Sequence, residues 1–368
     1  MSAPFLLSRP TLSAITTRTR DLLKLSKYRL SGLVALTAGT GYALRDDHPS
    51  LRPRPILAVT VGTWLTAASA NTLNQLYEIS SDALMARTRL RPLPAARIRP
   101  PAAALFAAVT GAAGLALLAV ETNGTAAAIA AANIALYAAV YTPLKPVSTI
   151  NTWVGAVVGA LPPMLGWAAA SDGCLTGERE RGAWALGALL FLWQIPHFHA
   201  LAVVSRADYA RGGLKMLAVT DPVRNATWAK ITAAAMMPLG IAFAATGVTS
   251  EAFTWEAAAL GFWMYRGSVK MAANPTAVAA ARPLFRASIF HLPLTLALML
   301  AHHVPYDENR QQLQMQRELQ LQRELERARA MAVRGEVRLH HPWEIMAPFP
   351  FLPVPMGAPA VVLETDDR

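Results

Sequence analysis

Asn74, Glu78 and Asp82 stand four residues apart where a long apolar run ends. On a helix that spacing drifts only slowly around the axis, so three oxygen-bearing side chains share one face over about 12 Å. Two carboxylates and an amide, followed at once by Arg87, Arg89 and Arg91, suit a metal-bridged diphosphate. Magnesium is a hard ion that takes carboxylate and phosphate oxygens, and arginine forks hold the phosphate charge left over. The same residues also describe a solvated acidic helix end beside a basic loop, so their surroundings must decide between the two.

A second charged cluster occupies Ser205–Met216, where Asp208, Arg211 and Lys215 fall at i, i+3 and i+7. If that loop is helical the three share a face, and Gly212-Gly213 either interrupts the helix or lets the backbone approach a ligand. His197 and His199 sit near the end of an apolar run, just after Pro196. Histidines two apart on a helix point in different directions, so they do not chelate as a pair, and a zinc site is not expected. Cys174 is the sole cysteine, which excludes an intramolecular disulfide or a cysteine-based metal cluster within this sequence.

The elements that must carry these residues are membrane helices. Of 368 residues, 54% are hydrophobic and 15% charged, more apolar than a soluble domain of this size requires. Charge-poor runs recur at close to the length that crosses a bilayer, near 30–44, 56–77, 101–120, 125–141, 151–170, 182–204, 231–248, 253–265 and 287–304. The expected fold is therefore an all-α integral membrane bundle of about nine spans. The first and eighth runs are short and borrow flanking residues, and Glu256 lies inside the eighth. Lys and Arg test the topology: 21 of 34 fall in alternate segments (1–29, 78–100, 142–150, 205–230, 266–286), against five in the other loops and eight in the tail. That bias is the positive-inside pattern, and it puts both charged clusters on one membrane face. The net charge of +11 thus reflects topology, and no nucleic-acid module is present.

Further residues carry a resemblance. Asn74-Gln-x-x-Glu-x-x-x-Asp82, Met85-x-Arg-Thr88 and Arg91-Pro-Leu93 resemble the first signature of the protohaem IX farnesyltransferases (haem O synthases), a branch of the UbiA prenyltransferase superfamily. Tyr141-Thr-Pro-Leu-Lys145, Asn151–Ala160 with Pro162-Pro163, Gly166-Trp167, Trp193-Gln-x-Pro-His-Phe198, Asp208-Tyr-x-x-Gly-Gly213 and His291-Leu-Pro293 continue it in order over residues 24–305. Gln75 and Glu78 stand where the wider superfamily has aspartates, which points to the haem branch over the quinone prenyltransferases. Pro146 departs from the pattern, where a basic residue is expected after Lys145.

The resemblance implies a helical bundle around a lipid-open cavity. It also implies transfer of farnesyl from farnesyl diphosphate to a vinyl group of haem b, giving haem O for a downstream haem A synthase step on the route to cytochrome c oxidase. By the same resemblance, Mg2+ is held by Asn74, Glu78, Asp82 and Asp208, and Arg87, Arg91, Lys145, Arg211 and Lys215 clamp the diphosphate. His197 or His199 is expected to ligate or orient the haem.

The expected organisation is a basic segment 1–23, a membrane domain 24–305 and a tail 306–368. Met1–Arg20 has three arginines and no acid, like a short mitochondrial presequence or the basic lead of a bacterial plasma-membrane protein. Similarity to the mitochondrial enzymes favours the inner membrane, with the motif loops facing the matrix. Gln311–Arg334 reads as a solvated helix with Leu321, Leu325, Ala328 and Ala332 as a potential self-associating stripe, and the proline-rich end reads as irregular. Another UbiA-type enzyme with an aromatic or quinone-precursor acceptor would share the diphosphate site. A CDP-alcohol phosphotransferase would carry more aspartates, and a transporter would place its charges in mid-membrane across repeated halves.

Overall fold

The computed structural model describes residues 12–46 and 53–305, together with residues 316, 319–324 and 326–327. Among them there is no strand, only an isolated bridge between Thr249 and His303. The helices are α1 (Leu12–Leu25), α2 (Tyr28–Arg45), α3 (Pro53–Tyr77), α4 (Ile79–Leu84), α5 (Pro100–Glu121) and α6 (Gly124–Ala135). A π-helical turn, Leu136–Tyr141, runs from α6 into the short α7 (Thr142–Leu144). There follow α8 (Asn151–Ala170), α9 (Arg181–Val204), α10 (Arg206–Arg211), α11 (Leu217–Thr220), α12 (Pro222–Met236), α13 (Leu239–Ala245), α14 (Ala252–Ala273) and α15 (Val278–Ala301).

Local chemistry sets several boundaries. Pro53, Pro100 and Pro222 stand at helix starts, where a missing N–H costs nothing. Asn123 caps α6 by accepting from Ala126 N, and Asp221 caps α12 by accepting from Arg224 N. Seven helical stretches are long and apolar enough to cross a membrane: 53–77, 100–121, 124–144, 151–170, 181–204, 222–245 and 278–301. Each matches one expected span. The two remaining expected spans form α2 and α14, of 18 and 22 residues. They fall outside that set because Arg29 and Arg45, or Glu256, Arg266 and Lys270, dilute their apolar character. They are the first and eighth, the pair whose apolar runs are short in the sequence.

Packing divides the bundle into two rings. Helices α2, α3, α5, α6 and α8 each contact the next and close on themselves, while α9, α12, α14 and α15 close a second ring, joined to the first where α8 meets α9. Small residues allow the close approaches that membrane helices rely on. A Cβ at Gly166 would run into the carbonyl oxygen of Ala38, and one at Gly41 into that of Pro163, so α2 and α8 touch backbone to backbone. Between α3 and α5, Gly62 and Gly114 play the same part. Large apolar side chains such as Leu105, Val109, Trp255 and Phe290 point outward, as a lipid-facing surface requires.

At one end of the bundle part-buried Arg45 pairs with buried Glu180 at 2.9 Å, and Trp167 Nε1 also donates to Glu180. At the other end lie the segments richest in Lys and Arg. Residues 306–368 form a separate unit. Within it, 319–324 and 326–327 are helical, and the side chains described there are exposed. Leu325, Ala328, Ala332 and the proline-rich end lie outside the described residues, as do residues 1–11 of the basic leader.

Candidate active site

The apolar run of α3 carries Asn71 and Asn74 to its end, where both are buried. The helix breaks at Glu78, which takes φ −92 and ψ 13 before α4 begins. Register survives the break, because Glu78 N donates to Asn74 O at 3.0 Å and Asp82 N donates to Glu78 O at 2.7 Å. Asn74, Glu78 and Asp82 therefore line up as their spacing predicts, and all three are buried. Gln75 faces away and donates to Leu25 O, tying α1 to α3.

Each of these three oxygen-bearing side chains holds one cation, and each cation comes from a different part of the chain. Lys27 Nζ donates to Asn74 Oδ1 at 2.9 Å, Lys145 Nζ to Glu78 Oε1 at 2.7 Å, and Arg91 Nη1 to Asp82 Oδ2 at 2.6 Å. Lys27 is not among the site residues that the sequence suggests, where it counts only as one of the basic residues ahead of the first span. It occupies a left-handed turn between α1 and α2. Burial, then the Arg91 and Lys145 charges, lower its pKa to about 7. For Lys145 burial is the largest single effect and opposes the charge, but the Glu78 carboxylate together with Tyr137 and Tyr209 turns the net shift upward.

The loop after α6 is shaped around this group. The π-helical turn stacks Tyr137 on Tyr141 at 5.2 Å, and Lys145 Nζ lies 4.6 Å from the Tyr141 ring centre. Asn74 Nδ2 donates to Thr142 Oγ1 at 3.0 Å. Lys215 N donates to Lys145 O at 2.7 Å, and Asn151 Nδ2 donates to Lys215 O at 2.9 Å. The second charged loop is thereby fastened beside the first.

Asp208 closes the other side. It accepts from the backbone N–H of Ala86 and Arg87, at 3.1 and 3.2 Å, and from Arg211. The Arg211 hydrogen bond first, with help from those amides, holds the Asp208 carboxyl below its usual range. Asp208 thus pins the arginine loop, and the Arg87 guanidinium lies over the Tyr209 ring. Lys215 does not share a helical face with Asp208 and Arg211, as the spacing predicts for a continuous helix. Helix α10 ends at Arg211 because Gly212 caps it and Gly213 takes φ 70. Lys215 and Arg87 are exposed, at the rim of the group, and Pro146 is exposed in the connecting loop.

Below this polar end lies a cavity of about 250 Å³, mostly apolar, between the first ring and α9. Asn71, Tyr137 and Tyr141 line it next to the charged group, Phe198 lines it beside Tyr209, and Gln194 and Leu165 complete its wall. Gln194 lies flat against α8 because Gly159 has no Cβ to occupy that space, and its Nε2 donates to Leu190 O and Ala156 O. The two histidines flank this space without lining it. His197 stacks on Trp193 at 4.9 Å, and its Nδ1 lies 2.7 Å from Ser288 Oγ of α15. His199 is fully buried toward α12, where Asn225 Nδ2 reaches its carbonyl.

The donor set suits a divalent cation shared with a ligand. Among the described residues no group of three or more His, Cys, Asp or Glu side chains is close enough to hold a metal alone. Asp82 Oδ1, however, is a buried carboxylate oxygen without a hydrogen-bond partner, and Glu78 lies one helical turn away. Magnesium commonly takes one or two carboxylates and completes its shell with phosphate oxygens and water. These residues fit that pattern.

The UbiA prenyltransferase family model matches residues 33–290. The mitochondrial protohaem IX farnesyltransferase of Arabidopsis thaliana is 43% identical over 344 residues, covering 90% of this chain and 76% of the plant protein. The enzyme of that name in Pyricularia oryzae is 43% identical, covering 77% of this chain and 55% of its own length. The human one is 39% identical, covering 76% and 61%. The chain thus spans about three quarters of the plant relative and less than two thirds of the fungal and human ones. Among solved structures, a digeranylgeranylglyceryl phosphate synthase superposes with a TM-score of 0.64 at 14% identity, over 78% of this chain and 98% of that one. A UbiA homologue from Archaeoglobus fulgidus, bound to GPP and Mg2+, superposes with a TM-score of 0.54 at 16% identity, over 76% and 99%. At such identities these structures speak for the fold.

Proposed function

This chain belongs to the UbiA prenyltransferase family, and from that membership we propose that it is a protohaem IX farnesyltransferase. The reaction moves a farnesyl group from farnesyl diphosphate to a vinyl group of haem b and yields haem O. The observation that carries this reading is the polar group at the cavity mouth, where Lys27, Arg91 and Lys145 meet Asn74, Glu78 and Asp82. Such a group receives a diphosphate, and the adjoining apolar cavity receives a prenyl chain.

In this reading Arg91 and Lys145 bind the diphosphate oxygens, and Arg87, Arg211 and Lys215 hold its exposed side. Asn74, Glu78 and Asp82 are the residues that would hold Mg2+. Asp208 keeps the arginine loop in place through its hydrogen bonds to Ala86 N and Arg87 N and serves the site through that loop, apart from the Glu78 and Asp82 carboxylates. When bound, magnesium supplies Lewis-acid neutralisation of the leaving diphosphate. The C1–O bond of farnesyl diphosphate breaks with its electron pair going to the phosphate, whose growing charge the fixed cations offset. The vinyl π pair forms the new bond to C1, and the cation left beside the porphyrin takes water and loses a proton. Tyr137 and Tyr141 border the place where the allylic cation forms, and their rings stabilise positive charge.

His197, set between α9 and α15, and His199 are candidates to orient the haem. The protein is a mitochondrial membrane protein, proposed to lie in the inner membrane with the motif loops toward the matrix, delivering haem O to a haem A synthase step. Incubating the purified protein with magnesium, farnesyl diphosphate and haem b should give a farnesylated porphyrin by mass spectrometry. Failure there, with turnover of another aromatic acceptor, would reduce the reading to prenyl transfer in general.

A further inference from the structure

Three cations meet only two carboxylates at the mouth of the cavity. Lys145 is paired with Glu78 and Arg91 with Asp82. The Lys27 ammonium, by contrast, has a neutral amide oxygen, Asn74 Oδ1, as its one hydrogen-bond partner among the described residues. A part-buried ammonium without a counter-ion is costly to hold, because the amide replaces its hydration but not its missing opposite charge.

The backbone is also set for this placement. Lys27 takes φ 47 and ψ 50, a left-handed conformation that side chains with a Cβ rarely adopt. The turn is fixed rather than incidental. Ser31 N donates to Lys27 O, Ser31 Oγ donates to Ser26 O at 2.8 Å, and Asn71 Nδ2 donates to Ser31 Oγ at 3.1 Å. One helix, α3, thus holds the turn through Asn71 and receives the lysine tip through Asn74. Strain maintained by several surrounding contacts is a mark of a working residue.

We infer that Lys27 is a diphosphate-binding residue, its uncompensated charge placed by the left-handed turn so that a phosphate oxygen becomes its counter-ion beside Asn74. This rests on the diphosphate reading of the site and extends it to the α1–α2 turn, which lies outside both charged clusters legible in the sequence. Lys27 joins Arg91 and Lys145 from a third direction, so the anion is gripped from the α1–α2 turn, the loop after α4 and the loop after α7.

The test is pyrophosphate binding, by calorimetry, to the full-length protein in detergent at fixed magnesium, comparing wild type with Lys27→Met and Lys27→Arg. Lys27→Met should weaken binding by about tenfold or more, the loss of one charge-assisted contact, and Lys27→Arg should recover most of it. Thermal unfolding without pyrophosphate supplies a second readout. Lys27→Met should unfold no lower than wild type, because it removes an uncompensated charge, yet gain less on adding pyrophosphate. A Lys27→Met protein that binds pyrophosphate as wild type does would overturn the assignment of Lys27 alone. Wild type that binds no pyrophosphate would overturn the diphosphate site and the lysine's role with it.

Discussion

Asp82→Asn separates the two duties that a buried carboxylate carries at this site. The side chain is buried, with Oδ2 held 2.6 Å from Arg91 Nη1 and Oδ1 without a hydrogen-bond partner. Asparagine keeps the shape but removes the charge, so Arg91 loses an ionic partner and the free oxygen becomes a weaker metal donor. A hydrogen bond to a charged group contributes about 1.5–3 kcal/mol. If that interaction holds the clamp in the transition state, kcat/KM for farnesyl diphosphate should fall by about 10- to 150-fold. Arg91→Gln removes the same pair from the other side while leaving the carboxylate intact. Initial rates against magnesium concentration should then differ between the variants. Asp82→Asn should raise the magnesium concentration for half-maximal rate, and Arg91→Gln should raise KM for farnesyl diphosphate at unchanged magnesium demand. A double variant whose loss equals the product of the single losses would show no coupling across the 2.6 Å contact. Identical magnesium curves for Asp82→Asn and wild type would refute Asp82 as a metal ligand.

Four further outcomes follow from the geometry. Gly166→Ala should destabilise the bundle by about 1–3 kcal/mol in detergent unfolding, because its Cβ meets the Ala38 carbonyl; Gly32→Ala, with nothing within 4 Å of its Cβ, should be neutral or mildly stabilising. Glu180→Ala should cost about 1–3 kcal/mol, since it removes the acceptor that part-buried Arg45 and the buried Trp167 N–H share; Glu180→Gln, which keeps an acceptor, should cost less. The Asp208 carboxyl is held low, so its contribution is present above the ordinary carboxylate range and is lost as pH falls through the folded value; limited proteolysis of the arginine loop should be flat from pH 6 to 8, rise only on strong acidification, and lose that rise in Asp208→Asn. Chelating magnesium should abolish transfer without lowering the unfolding temperature, because no described cluster holds a metal without the diphosphate; a drop in that temperature would indicate a structural metal.

Much of this site is legible in the sequence because its parts lie close along the chain. Asn74, Glu78 and Asp82 keep their alignment across the break at Glu78, since two i to i−4 hydrogen bonds bridge it. The two weakest spans emerge as α2 and α14, whose short apolar runs are flanked or interrupted by charge at Arg29 and Arg45 and at Glu256, Arg266 and Lys270. Lys215 was misplaced by a rule applied past its range: helical spacing holds only while the helix does, and Gly212-Gly213 ends it. The placement of Lys27 leaves no mark in the sequence, because it depends on one backbone turn and on a partner 47 residues away, neither of which has a periodic signature.

Composition and local spacing on their own determined the helical bundle with its membrane-length apolar runs and the alignment of Asn74, Glu78 and Asp82 on one face. Those properties follow from transfer free energies and helix periodicity, which act along the chain. Which cation meets which oxygen, that one cation lacks a counter-charge, and that both histidines flank the cavity without lining it were decided only by the tertiary structure. Such pairings join residues far apart in sequence, and they arise from small-residue contacts such as Gly166 on Ala38 that set how closely the helices approach.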